Sequence, residues 1–136
     1  MVKRWFFHVI GWFEHHFLLS LVISSLIALI IFLLSSLTFE VSPGAGVSYG
    51  SFGYHFFVFF FLQAFLLMGF IRGKLSRVGL VFLIIVFSVF YGVSDEVHQL
   101  FVVGRFASLI DVLVNSLGIL VNSFIYVLVL KSRYEN

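Results

Sequence analysis

The stretch Tyr91–Asn122 reads YGVSDEVHQLFVVGRFASLIDVLVNSLGILVN and holds Asp95, Glu96, His98, Gln99, Arg105, Asp111 and Asn115. Half of the chain's six acidic residues fall there. Two kinds of work suit such a set. Carboxylates and an imidazole can move protons, with Glu96 or Asp111 as general base and His98 as its acid or base partner. A guanidinium can clamp phosphate or carboxylate through paired hydrogen bonds, the task open to Arg105, while Gln99 and Asn115 orient what is bound. Ser94 and Ser108 lack any arrangement that would activate a nucleophile, so an activated water or hydroxyl is favoured over a covalent route. Glu96, His98 and Asp111 are therefore the candidate catalytic residues. His55, Asp95, Gln99, Arg105 and Asn115 are the candidate ligand-binding residues.

The same side chains bear on metal binding. His55, His98, Glu96 and Asp111 carry nitrogen and oxygen donors that suit zinc or another divalent ion. No short ligand motif of the H-E-x-x-H kind is present, and the adjacent His15 and His16 would point about 100° apart on a helix with 3.6 residues per turn. The sequence alone thus assigns no metal ligand and names no cofactor.

Spacing decides which groups can meet. Asp95 stands three before His98 and four before Gln99, one face of a helix if the third span continues through them, and Ser88, Tyr91 and Gly92 extend that face inward. Asp111, Asn115, Gly118 and Asn122 recur at helical intervals as a polar stripe with a small residue in it, suited to close helix contact. Ser108, three before Asp111, is placed to cap a helix whose positive first turn holds the acid. Gly104 and Arg105 make the intervening turn, from which Arg105 reaches Asp111, Glu96 or an anionic ligand. A purely structural account also exists, in which these groups lock two helices together. Isolated polar residues such as Gln63, Ser88 and Asn122 read that way. Two acids, a histidine, an amide and an arginine within Asp95–Arg105 exceed what packing two helices requires.

The elements that must position these residues follow from composition. Of 136 residues, 62% are hydrophobic and only 10% charged, with 20 Phe, a single Pro and a mean hydropathy of +1.18. Soluble domains run nearer a quarter charged, so a soluble globular protein and a disordered chain are excluded. So is a nucleic-acid binder, which needs a dense basic face, because only 8 Lys and Arg are present. Without cysteine there is no disulfide or thiolate site. Four stretches are long and apolar enough to cross a bilayer: Phe17–Phe39, Tyr54–Ile71, Val78–Ser94 and Leu109–Leu130. Continuous runs such as Phe56–Phe61 do not alternate as barrel strands do. The expected fold is an all-α membrane protein, a four-transmembrane-helix bundle forming one domain over residues 1–136. Phe17–Phe39 exceeds the core of a signal peptide and is read as retained.

Seven of the eight basic residues lie on one side of such a bundle: Lys3, Arg4, Arg72, Lys74, Arg77, Lys131 and Arg133. The positive-inside rule then puts both termini in the cytoplasm of a multi-pass cell-membrane protein, with Asp95–Ser108 outside. His55 falls at that outer end as well. In Lys3–His16, apolar Trp5, Phe6, Val9, Trp12 and Phe13 alternate at helical spacing with polar residues, which predicts a short interfacial helix. Glu40–Gly53, with Pro43 and several Gly and Ser, reads as a connection.

At Asp95-Glu96-x-His98-Gln99-x-Phe101, Gly104-Arg105 and Ser108-x-x-Asp111-x-x-x-Asn115-x-x-Gly118 the chain resembles the VanZ-like family, named for a protein associated with teicoplanin resistance. Tyr54-His55-Phe56 matches the end of that family's Asp-Lys-x-x-His-Phe pattern. Ser51 and Phe52 replace its Asp-Lys, and Val103 replaces the usual proline before Gly-Arg. The resemblance extends over nearly the whole chain and implies an integral membrane protein of the cell envelope. It leaves three functions open: binding a lipid, a lipid-linked molecule or an anionic glycopeptide ligand, with a link to glycopeptide resistance; acid–base hydrolysis or transfer on a lipid head group; or a structural or partner-subunit role. Membrane lipids are the expected partners, and translocation through so few helices would call for a homodimer or a moving helix.

Overall fold

The computed structural model describes residues 2–38 and 49–135, with side chains from Trp5 and, after the break, from Ser51. Among the described residues there are five α-helices and no strand: α1 (Val2–His15), α2 (Phe17–Ser35), α3 (Tyr49–Ile71), α4 (Leu80–Gln99) and α5 (Leu109–Tyr134). Four of them, α2 to α5, are long and apolar enough to span a membrane. At 1.5 Å per residue the 19 residues of α2 rise about 28 Å, close to the ~30 Å hydrocarbon core. α1, with 14 residues, reaches only about 21 Å. The expected all-α membrane bundle with a short N-terminal helix is what forms.

Several boundaries differ from expectation. α4 continues to Gln99 instead of ending at Ser94, which carries Asp95 and Glu96 into the helix. No proline or glycine interrupts that stretch, and its polar groups gain partners inside the bundle. α3 begins at Tyr49, so Ser51, Phe52 and Gly53 are helical and not part of the connection. α2 stops at Ser35, and α5 runs on to Tyr134. Glu40 and Pro43 lie outside the described residues. A single 3-10 turn, Leu75–Arg77, precedes α4.

α3 is the hub and packs on all four other helices, most extensively on α5 and α2. Successive spans run in opposite directions, so α3 and α5 are parallel neighbours. Their contacts keep a constant separation in sequence: His55 meets Asn115, and Gln63 meets Ser123, each pair 60 residues apart. Gly118 sets this register. A Cβ there would stand 2.4 Å from the Phe56 carbonyl oxygen, so only glycine lets the two backbones come this close. At mid-height Gln63, fully buried, accepts from the Ser88 hydroxyl at 2.6 Å and donates to Ser123 at 2.8 Å. One amide thereby ties α3, α4 and α5, and the side-chain polar atoms of Gln63, Ser88 and Ser123 all have partners. Asn122, also expected to act as interhelical glue, does not: its Oδ1 has no partner among the described residues, and the side chain borders an apolar cavity of about 240 Å³ between α1, α3 and α5.

The end holding the α3–α4 connection and the chain termini has its own anchor. Buried Glu14 of α1 is ion-paired with Arg133 and accepts from the Tyr126 hydroxyl at 2.7 Å. Gly73, at φ +65°, passes so close to Glu14 that a Cβ would stand 2.8 Å from its carboxylate. Tyr134 donates to the Gly73 carbonyl at 3.0 Å. α1 is thus docked against the bundle by its one acid, and Phe13 packs edge-on against Phe65 at 5.2 Å.

Candidate functional site

The opposite end gathers most of the residues singled out by type. His55 sits in the second turn of α3, buried, and its Nδ1–H donates to Asn115 Oδ1 at 3.1 Å. That bond fixes the tautomer: with the proton on Nδ1, a neutral His55 keeps a lone pair on Nε2 for a ligand or a proton. Asn115 is held opposite because Gly118, three residues on, fixes α5 against α3.

Glu96 enters from α4 and is 3% exposed. Its Oε2 accepts the Ser108 backbone N–H at 2.9 Å, and its Oε1 has no partner among the described residues. Ser108 caps α5 as its position suggested: its hydroxyl accepts the Asp111 backbone N–H at 3.3 Å. Both carboxylates therefore stand at the positive end of a 26-residue helix, which favours negative charge there.

A ring nitrogen of His55 and carboxylate oxygens of Glu96 and Asp111 all lie within 4.8 Å of one another. Two full charges at that distance repel by about 3.5 kcal/mol or more at an effective dielectric of ~20. The helix terminus offsets part of this. A shared proton or a cation would offset the remainder. The neighbouring Asn115 Nδ2 donor is also buried without a partner among the described residues. The cluster thus presents an imidazole lone pair, carboxylate oxygens and one amide donor around a common point.

Not every candidate joins it. His98 turns away: its ring lies against Phe32 at 4.8 Å, and Nε2 is hydrogen-bonded to the Ser36 hydroxyl just beyond α2 at 3.0 Å. The reason is helical phase. Two residues along a helix rotate the side chain about 200°, so Glu96 and His98 cannot face the same point once α4 continues through both. Asp95 and Gln99 do share a face, with Gln99 Nε2 3.4 Å from Asp95 Oδ2, and they border Ser35 beside the cluster. Arg105 forms no ion pair with Asp111. Its Nη2 donates to the Leu34 carbonyl at 2.9 Å and ties the α4–α5 loop to the end of α2. That loop turns on Gly104 at φ +81°, which sends the Arg105 side chain toward α2.

A family profile described as VanZ/LLP1 matches residues 47–130, more than half of the chain. The chain belongs to the VanZ/LLP1 family. The match takes in α3, α4 and most of α5, narrower than the resemblance read from the motifs, and leaves α1 and α2 outside it. No curated protein and no solved structure matches. All four converging residues, His55, Glu96, Asp111 and Asn115, fall within the VanZ/LLP1 segment, as do Gly118 and Ser108, which hold them. The Glu14–Tyr126–Arg133 anchor, which the sequence did not reveal, has Glu14 and Arg133 outside that segment. One signal for it was legible: Glu14 is the lone acid of α1, at the end where the basic residues gather.

Proposed function

We propose that this VanZ/LLP1 protein binds the head group of a membrane lipid or lipid-linked envelope molecule at the His55–Glu96–Asp111–Asn115 cluster. The observation that carries this reading is the rim beside the cluster. Phe101, Val103, Phe106 and Leu109 are each more than 80% exposed. Such side chains are costly in water and at home at the boundary between head groups and acyl chains. A site rimmed in this way takes its ligand from the bilayer. The acceptor oxygens, imidazole and single amide donor beneath suit a hydroxyl-bearing head, and the lipid-facing helices alongside suit the chains. Family membership supports a cell-membrane setting, and withholding or altering a lipid-linked precursor would connect the protein to glycopeptide resistance.

A catalytic version of the reading rests on the His55 tautomer. Asn115 takes the Nδ1 proton and leaves Nε2 with its lone pair, in a ring that has a nitrogen within 4.8 Å of the Glu96 and Asp111 carboxylates, the arrangement of a base beside a proton carrier. His98 takes no part in it. Binding and catalysis separate with Glu96→Gln, which keeps an acceptor for Ser108 and removes the proton-transfer group. The test is reconstitution in nanodiscs of phosphatidylcholine doped with phosphatidylglycerol, with retention of the anionic lipid quantified by mass spectrometry. Retention should fall at least tenfold in Asn115→Ala and in Phe101→Ser/Phe106→Ser. Equal retention in both variants and the wild type would overturn the head-group reading.

A further inference from the structure

We infer that His55, Glu96 and Asp111 form a binding site for one divalent transition-metal cation, with Asn115 as its positioning residue. The inference shares its location with the head-group reading and deepens it, since a cation there would supply the positive charge that a phosphate head requires.

Three independent observations carry it. The first is donor geometry. One imidazole nitrogen and two carboxylate oxygens lie within 4.8 Å of one another, drawn from three different helices. Donors about 2.1 Å from a tetrahedral ion stand roughly 3.4 Å apart. Side-chain rotation of about 1.4 Å or less therefore closes the set. The second is the arrangement of partners behind the donors. His55 Nδ1–H is committed to Asn115 Oδ1, and Glu96 Oε2 to the Ser108 N–H. Metal-ligating histidines and carboxylates are commonly held in this way by a bond on the far atom, which aims the remaining lone pair. The third is what remains unpaired. Glu96 Oε1 is an acceptor without a donor in a side chain 97% buried, and Asn115 Nδ2, 99% buried, is a donor without an acceptor among the described residues. A cation satisfies the first, and an oxygen bound to that cation satisfies the second.

The donor set selects the class of ion. One nitrogen with two oxygens suits zinc or manganese. Magnesium and calcium prefer all-oxygen shells and should bind more weakly. With two carboxylates and a neutral imidazole, a doubly charged ion leaves the cluster neutral, as the low dielectric favours. Three protein ligands leave at least one position open, the arrangement of sites that handle a substrate.

The test uses the tag-free full chain in detergent, because α1 and the residue after it carry exposed His8, His15 and His16. A His8→Ala/His15→Ala/His16→Ala variant serves as the baseline that removes adventitious sites. Titration with Zn2+ alone, and separately with Mn2+, should give one equivalent per chain in that baseline. His55→Gln, Glu96→Gln and Asp111→Asn should each abolish it, and Asn115→Ala should weaken it about 10–100-fold. Far-ultraviolet circular dichroism reports whether each variant folds. Nitrogen-15 histidine NMR of the unsubstituted protein avoids the question of folding altogether. One histidine protonated on Nδ1 should shift its Nε2 resonance on adding Zn2+ and recover with chelator. Stoichiometric binding that survives in folded His55→Gln, or no metal-dependent Nε2 shift, overturns the inference. Lipid retention measured with and without chelator separates the two readings. Retention that ignores metal while still requiring Asn115 overturns the metal site and leaves the head-group reading standing. One equivalent of metal with no retention does the reverse.

Discussion

Adding a single methyl group at Gly118 should move α5 and disable the site from one turn away. A Cβ at this position lies 2.4 Å from the Phe56 carbonyl oxygen and 3.2 Å from the Phe60 nitrogen. Carbon and carbonyl oxygen settle no closer than about 3.3 Å, so the two helices must part by roughly 0.9 Å. Both obstacles are backbone, so no side chain can swing aside. Overpacking of this kind costs about 1–3 kcal/mol. The same movement stretches the 3.1 Å bond between His55 and Asn115 toward 4 Å, beyond hydrogen-bonding range, and forfeits about another 1 kcal/mol. Alanine returns up to about 1 kcal/mol of helix propensity. The net expectation for Gly118→Ala is a loss of roughly 1–3 kcal/mol. Gly53→Ala is the control: it lies on the same α3 side of the contact with nothing within 4 Å of its Cβ, and it should gain about 0.5–1 kcal/mol. Reversible unfolding in mixed detergent measures both. Nitrogen-15 histidine NMR should show His55 losing its fixed Nδ1 proton only in Gly118→Ala. Equal stability of the two variants, with an unchanged His55 signal, would refute the claim that glycine sets the register.

Three further outcomes can be measured. The chain lacks cysteine, so Val103→Cys should react with an impermeant thiol reagent added outside intact cells and Ser76→Cys should not, because the basic residues favour cytoplasmic termini; labelling only at Ser76→Cys would invert the topology. Glu14→Gln should destabilise by about 3–5 kcal/mol by leaving Arg133 without its counter-charge, whereas Tyr126→Phe should cost about 1–3 kcal/mol, and detergent unfolding distinguishes the two. Gln63→Leu removes two interhelical bonds and should cost about 1–3 kcal/mol, with Ser88→Ala adding little on top of it in a double-mutant cycle.

The spans and the polar stripe of α5 were legible because lipid permits few solutions: long apolar runs must be helices, and residues four apart on a helix share a face. His55, Glu96, Asp111 and Asn115 could be grouped by depth and cost alone. His98 could not be placed correctly while α4 was taken to end at Ser94. Once the helix runs to Gln99, the two-residue offset from Glu96 sends His98 to α2. Arg105 followed the geometry of a loop, where periodicity says nothing about direction. Glu14 looked like part of a wet helical face because its partners, Tyr126 and Arg133, lie at the other end of the chain. Such pairings appear only when tertiary structure brings distant segments together. The join between His55 and Asn115 is of the same kind, and its marker was the missing side chain at Gly118.

The parallel pairing of α3 with α5 has a consequence for how the protein is made. His55 and Asn115 are 60 residues apart, so at about 5–20 residues per second the ribosome adds Asn115 roughly 3–12 s after His55. In that interval α3 is in the bilayer with Gln63 and His55 but without α5. An unpaired polar group in hydrocarbon costs several kcal/mol. Gln63 gains Ser88 when α4 enters, and only the last span brings Ser123 and Asn115. The site is therefore the final thing to exist. A nascent chain halted after three spans shows lipid an amide and an imidazole that the finished protein conceals, which is a feature an insertase could shelter or a membrane protease could recognise.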